Sequence, residues 1–87
     1  MKKIKIQIND KIGFHARTAS LFSKEASKFK SMINIEFKDK KVNGKSMLSL
    51  MSLGVKTNDS IILSCEGDDE KVSIDHLKHL IDNNFNF

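Results

Sequence analysis

The run Gly13-Phe14-His15-Ala16-Arg17-Thr18-Ala19 sets an imidazole and a guanidinium two residues apart. A helical apolar stripe begins at Ala16, so His15 falls at or near an N-cap. Ser, Thr, Asp and Asn are the residues that stabilise that position, and histidine is not among them. A nucleophilic side chain therefore stands where stability alone would place another type. A helix N-terminus offers unpaired backbone N–H groups and about half a positive charge, which suits a phosphate. The same charge disfavours an imidazolium, leaving a ring nitrogen with a lone pair to attack phosphorus. Arg17 is placed to hold phosphate oxygens, and the backbone N–H groups of Ala16, Arg17 and Thr18 add donors. Together these groups form a phosphoryl acceptor that needs no metal and no cofactor.

A second pattern is Gly44-Lys45-Ser46, followed by Met47-Leu48-Ser49-Leu50-Met51-Ser52-Leu53. Ser46 is a favoured N-cap. Leu50 and Leu53 can face a core, but Met47, Leu48 and Met51 cannot all do so. Exposed methionines suit an adaptable docking patch.

Alternating Ile4, Ile6 and Ile8 predict a strand, and Ile33, Ile35 and Phe37 predict a second. Ala16, Ala19, Phe22, Ala26 and Phe29 recur at helical spacing, with Ser20, Lys24 and Ser27 on the opposite face. A turn at Asp39-Lys40 leads into a short strand near residues 40–43, which Gly44 ends. A short helix runs from Ser46 to Leu53, with Gly54 just past its end. Ser60–Glu66 forms a fourth strand, and Ile74, Leu77 and Ile81 mark the last helix. Asp82, Asn83 and Asn84 read as fraying and capping at its end. The order β-α-β-β-α-β-α implies an α+β domain with a sheet covered on one face.

Eighty-seven residues suffice for one domain, expected to span 1–87. The net charge is +4 and unevenly spread. Residues 1–45 hold 11 lysines and Arg17 against four acids, a net +8, whereas residues 46–87 hold three lysines against seven acids, a net −4. The basic half suits an acidic partner or a phosphate. Nucleic-acid binding is the competing reading of that charge, but Tyr and Trp are absent and no recognition motif is visible. The single cysteine, Cys65, alternates with Ile61 and Leu63 as a buried small residue. It permits no intrachain disulfide, which fits a reducing cytoplasm. His76 and His79 read as solvated helix-surface histidines, too few for a structural metal site. No apolar run approaches the ~20 residues of a membrane span.

Taken together, Gly13-Phe14-His15-Ala16-Arg17, Lys45-Ser46 and Met51-Ser52-Leu53-Gly54 resemble the HPr family of histidine-containing phosphocarriers of the bacterial phosphoenolpyruvate:sugar phosphotransferase system. The resemblance covers essentially the whole chain. It implies an open-faced two-layer β-sandwich: a four-stranded antiparallel sheet with three helices on one face. It implies a carrier rather than a turnover enzyme. His15 would accept the phosphoryl group on Nδ1 from phospho-enzyme I, with Arg17 stabilising it. The group would pass to enzyme IIA domains. Ser46 matches the serine modified by HPr kinase/phosphorylase, and its phosphate would reduce docking without unfolding the chain. Ala16, Ser20, Lys24, Ser27, Met47, Leu48 and Met51 would form the partner surface of a cytoplasmic monomer. The presence of His15 speaks against the catabolite-repression paralogue that keeps only the serine; a regulatory binding protein acting through Ser46 is the alternative reading. At position 18 the family usually has proline. Thr18 restores a backbone donor there and is expected to loosen the junction between loop and helix.

Overall fold

The computed structural model describes residues 1–9 and 14–85. Gly13 of the histidine motif lies outside the described residues. Four strands and three helices follow in the order β1 (Lys2–Gln7), α1 (Ala16–Ala26), β2 (Met32–Phe37), β3 (Lys40–Asn43), α2 (Met47–Ser52), β4 (Ser60–Glu66) and α3 (Glu70–Asp82). The strands form one antiparallel sheet in the order β1-β4-β2-β3. Register follows from side-chain alternation: Ile6 sits opposite Ile61, and Leu63 lies between Ile4 and Ile35. This isoleucine-rich face joins Phe22, Leu50, Leu77 and Ile81 from the helices in one core. The other face carries Lys3, Lys5 and Glu66 and is open to solvent.

The β2–β3 turn is one residue earlier than the sequence reading placed it, at Lys38-Asp39, because Phe37 already pairs with Lys40. Lys38 takes the left-handed conformation that closes the turn, with φ 55°. Gly44 does more than end β3. Its N–H donates to the Ile33 carbonyl at 2.7 Å, and a Cβ there would stand 2.8 Å from Ile33 Cγ2 and 3.2 Å from a Phe22 ring carbon. The close approach of chain to core is what requires glycine.

Ala16 is exposed, a correction to the apolar stripe, which runs instead through Ala19, Phe22 and Ala26. The same face buries Glu25, which no apolar pattern flags. Its carboxylate binds His76 Nε2 of α3 at 2.8 Å and Lys28 Nζ at 2.8 Å. His76 is therefore not a solvated helix histidine. It is half-buried, and its ring meets Phe29 edge to face at 5.4 Å. His79 is exposed as expected. Asp69, the N-cap residue of α3, turns its carboxylate outward from its own helix to accept from the Lys30 and Ser31 N–H groups at 2.8 and 2.9 Å. It also accepts from the Ser31 hydroxyl. These two carboxylates fasten α3 to the end of α1 and the loop that follows. Cys65 is buried in the core, where desolvation pushes its thiol up and keeps it protonated.

Hydrogen bonds from Lys28 and His76 hold the Glu25 carboxyl below its ordinary value of 4.5. A folded-state value depressed in this way stabilises the fold above the ordinary glutamate range, and the contribution is lost as pH falls through the lower, folded value. Glu25→Gln should therefore cost about 1–2 kcal/mol at neutral pH. It should also flatten the acid loss of stability, as read by urea unfolding at neutral pH and at about pH 3. Gly44→Ala should cost about 1–3 kcal/mol in the same assay, because Ile33 and Phe22 must shift to admit a methyl group.

Candidate functional site

The site is built outward from Phe14. Its ring is buried and meets Phe22 of α1 at 5.7 Å and Phe85 at 5.8 Å, both edge to face. Its N–H donates to the Val55 carbonyl at 3.2 Å, tying this point of the chain to the segment after α2. Phe85 reaches the trio because Asn84 and Phe85 adopt left-handed backbone, φ 56° and 64°, and Phe85 N–H returns to the Leu80 carbonyl at 2.8 Å. The sequence reading took Asp82, Asn83 and Asn84 for fraying and capping; Asn83 is the C-cap of α3, and the return of Phe85 lies beyond that reading. The aromatic at 85, placed one helical turn beyond Ile81, was the signal for a returning end.

With residue 14 anchored inside, the next residue emerges at the surface. His15 is the N-cap of α1, in extended backbone at φ −113° and ψ −174°, and is half-exposed. Its carbonyl receives the Ala19 N–H at 2.8 Å, the first bond of the helix. Ala16 and Arg17 follow, both exposed. An exposed guanidinium in the first turn thus lies two residues from a half-exposed imidazole, at the positive end of an eleven-residue helix.

Thr18 takes part in this junction through its side chain. It is fully buried, and its Oγ1 accepts the His15 N–H at 3.1 Å. Its hydroxyl is also 3.4 Å from the His15 carbonyl. The reciprocal half of the box turns the Thr18 N–H toward the imidazole. Position N3 reaches back to the N-cap backbone in any capping box. A buried threonine does here what a glutamate usually does on a surface.

Ser46 is half-buried and caps α2, its Oγ accepting the Ser49 N–H at 3.3 Å. Lys45 Nζ is turned away and donates to the Phe29 carbonyl at 2.8 Å. Leu50 and Leu53 enter the core, while Met47, Met51 and Leu48 remain exposed, Leu48 at 80%. Ser20, Lys24 and Ser27 are exposed along α1, which packs directly against α2. Two adjacent helices therefore carry the histidine, the serine and an apolar patch left out of the core.

Comparison with known proteins agrees with this arrangement. Residues 2–83 match the family model described as the PTS HPr component phosphorylation site. The phosphocarrier protein HPr of Mycoplasma pneumoniae is 41% identical over 83 residues, 94% of either chain. A crystal structure of HPr from Thermoanaerobacter tengcongensis superposes with a TM-score of 0.95 at 49% identity, covering 98% of this chain and 96% of the other. An HPr dimer from the same bacterium covers 100% of both chains at 48% identity, with a TM-score of 0.79. The four-stranded open sheet, its three helices and their order are those of these structures. The chain belongs to the HPr family, the phosphocarrier proteins of the sugar phosphotransferase system, and is a carrier rather than a catalytic enzyme.

Proposed function

We propose that His15 receives the phosphoryl group from phospho-enzyme I on Nδ1 and passes it to enzyme IIA domains. The observation that supports this most is the placement of an imidazole, half-exposed, at the N-cap of α1 with Arg17 in the first turn. In the transfer to His15 the lone pair of Nδ1 forms the new N–P bond as the donor's bond to phosphorus breaks. The donor atom keeps that electron pair, and the proton on Nε2 stays in place. Attack by the neutral form of the imidazole releases no proton, so no general base takes part. The phosphoryl oxygens settle over the N–H groups of Ala16, Arg17 and Thr18, and Arg17 spreads their charge. The bond formed is a phosphoramidate, which the next acceptor can break by the same step in reverse order.

Ser46 is the regulatory site, modified by an HPr kinase/phosphorylase. Its phosphate would bring roughly −2 charge to the border of the methionine patch, while a phosphate oxygen could still receive the Ser49 N–H. The docking surface combines Ser20, Lys24 and Ser27 of α1 with Met47, Leu48 and Met51 of α2, all of them exposed. One domain spanning 1–87 acts as a monomer in the cytoplasm, and among the described residues no helix is long and apolar enough to cross a membrane.

Incubation with phosphoenolpyruvate, Mg²⁺ and catalytic enzyme I should give an acid-labile phosphohistidine signal in ³¹P NMR. His15→Ala should lose that signal entirely while its circular dichroism stays unchanged. Acceptance by the folded variant would refute the assignment and leave a binding role centred on Ser46. Ser46→Asp should raise the KM for phospho-enzyme I about tenfold with the fold intact. Wild-type kinetics in that variant would remove Ser46 from the docking surface.

A further inference from the structure

We infer that Thr18 is a positioning residue for phosphoryl transfer: its hydroxyl holds the His15 backbone so that the imidazole stays at the mouth of α1. This rests on the reading of His15 as the acceptor. His15 stands at the N-cap of α1, and its extended backbone must be fixed by its neighbours. Phe14 supplies one anchor through the aromatic trio. Thr18 supplies the other, since Oγ1 receives the His15 N–H at 3.1 Å and approaches its carbonyl at 3.4 Å. The hydroxyl lies in a fully buried side chain, so its geometry is set by packing rather than by solvent.

Proline, the usual residue at this position in the family, would constrain the turn differently. It fixes its own φ, but it has no hydroxyl to reach residue 15 and no N–H to face the imidazole. In this chain the constraint passes through hydrogen bonds instead. Removing the hydroxyl takes away its bond to the His15 N–H and loosens the His15 backbone. The consequence belongs to the chemical step, because a nucleophile that samples several positions spends less time in line with phosphorus. Partner docking, which uses exposed residues of α1 and α2, is left as it was.

The test compares wild type, Thr18→Val, Thr18→Ser and His15→Ala as acceptors from phospho-enzyme I by rapid quench, well below the melting transition. Valine keeps the volume and branching of threonine, so the core remains filled. Thr18→Val should lower the transfer rate at saturating donor about tenfold. Its KM should stay within about twofold of wild type. Amide hydrogen exchange at His15 should accelerate in the same variant, and Thr18→Ser should restore both rate and protection. A wild-type transfer rate in Thr18→Val overturns the inference, as does a slow Thr18→Val whose His15 amide remains protected. Failure of serine to restore the rate overturns it too. Acceptance by His15→Ala would instead overturn the underlying acceptor reading, and is distinguishable because it does not depend on Thr18.

Discussion

Everything at the candidate site depends on Phe14 being inside. A histidine proposed to exchange a phosphoryl group with partner proteins cannot itself be packed, so its precision has to come from the residue before it. Phe14 provides that precision by lying between Phe22 and Phe85. Each edge-to-face pair is worth about 0.5–1.5 kcal/mol beyond the burial of the rings. The trio draws together the start of α1, its middle and the returned end of the chain after α3. It also explains why the left-handed residues Asn84 and Phe85 are tolerated: the strain of that turn is offset by an aromatic side chain delivered to the core.

The second requirement is that α1 itself not move. Glu25 fastens its last turns to α3 through His76, while Asp69 holds the following loop at Lys30 and Ser31. Both carboxylates are satisfied by several donors, and their pKa values are lowered chiefly by those hydrogen bonds. Rigid support of this kind is laid far from the histidine, at the opposite end of α1. The helix thus presents a fixed N-terminus and an exposed flank, held from behind.

The sequence made the elements legible because each announces itself locally. Isoleucine alternation placed β1 and β2, and the stripe through Ala19, Phe22 and Ala26 placed α1. Ser46 marked the start of α2, and its surplus of apolar residues already implied that Met47, Leu48 and Met51 would be left outside. His15 was legible for the opposite reason, as a residue type unsuited to its cap position. What escaped were the roles set by distant partners. Burial of Glu25 depends on His76, 51 residues away in sequence. The inward turn of Phe85 depends on Phe14, and no periodicity links them. Thr18 was read against proline, as a restored backbone donor and a looser junction. Its hydroxyl gains a partner only when His15 is extended, and that conformation is a property of the folded junction.

A carrier meets its partners in succession, so it must bind each one briefly. That condition limits how the surface can be built. A large apolar interface would hold a partner too long, and a wholly polar one would give little specificity. The structure lies between these limits. Three exposed apolar side chains of α2 offer a small adaptable contact beside the histidine helix. The surplus of positive charge in the first half of the chain acts at longer range, raising encounter rates more than it prolongs the complex. A negative group at Ser46 would weaken both contributions at once, since it would lie beside the apolar contact and oppose the charge that brings partners in. The proposed phosphate at Ser46 would thus turn the docking surface down while the core, which Ser46 barely enters, stayed as it was.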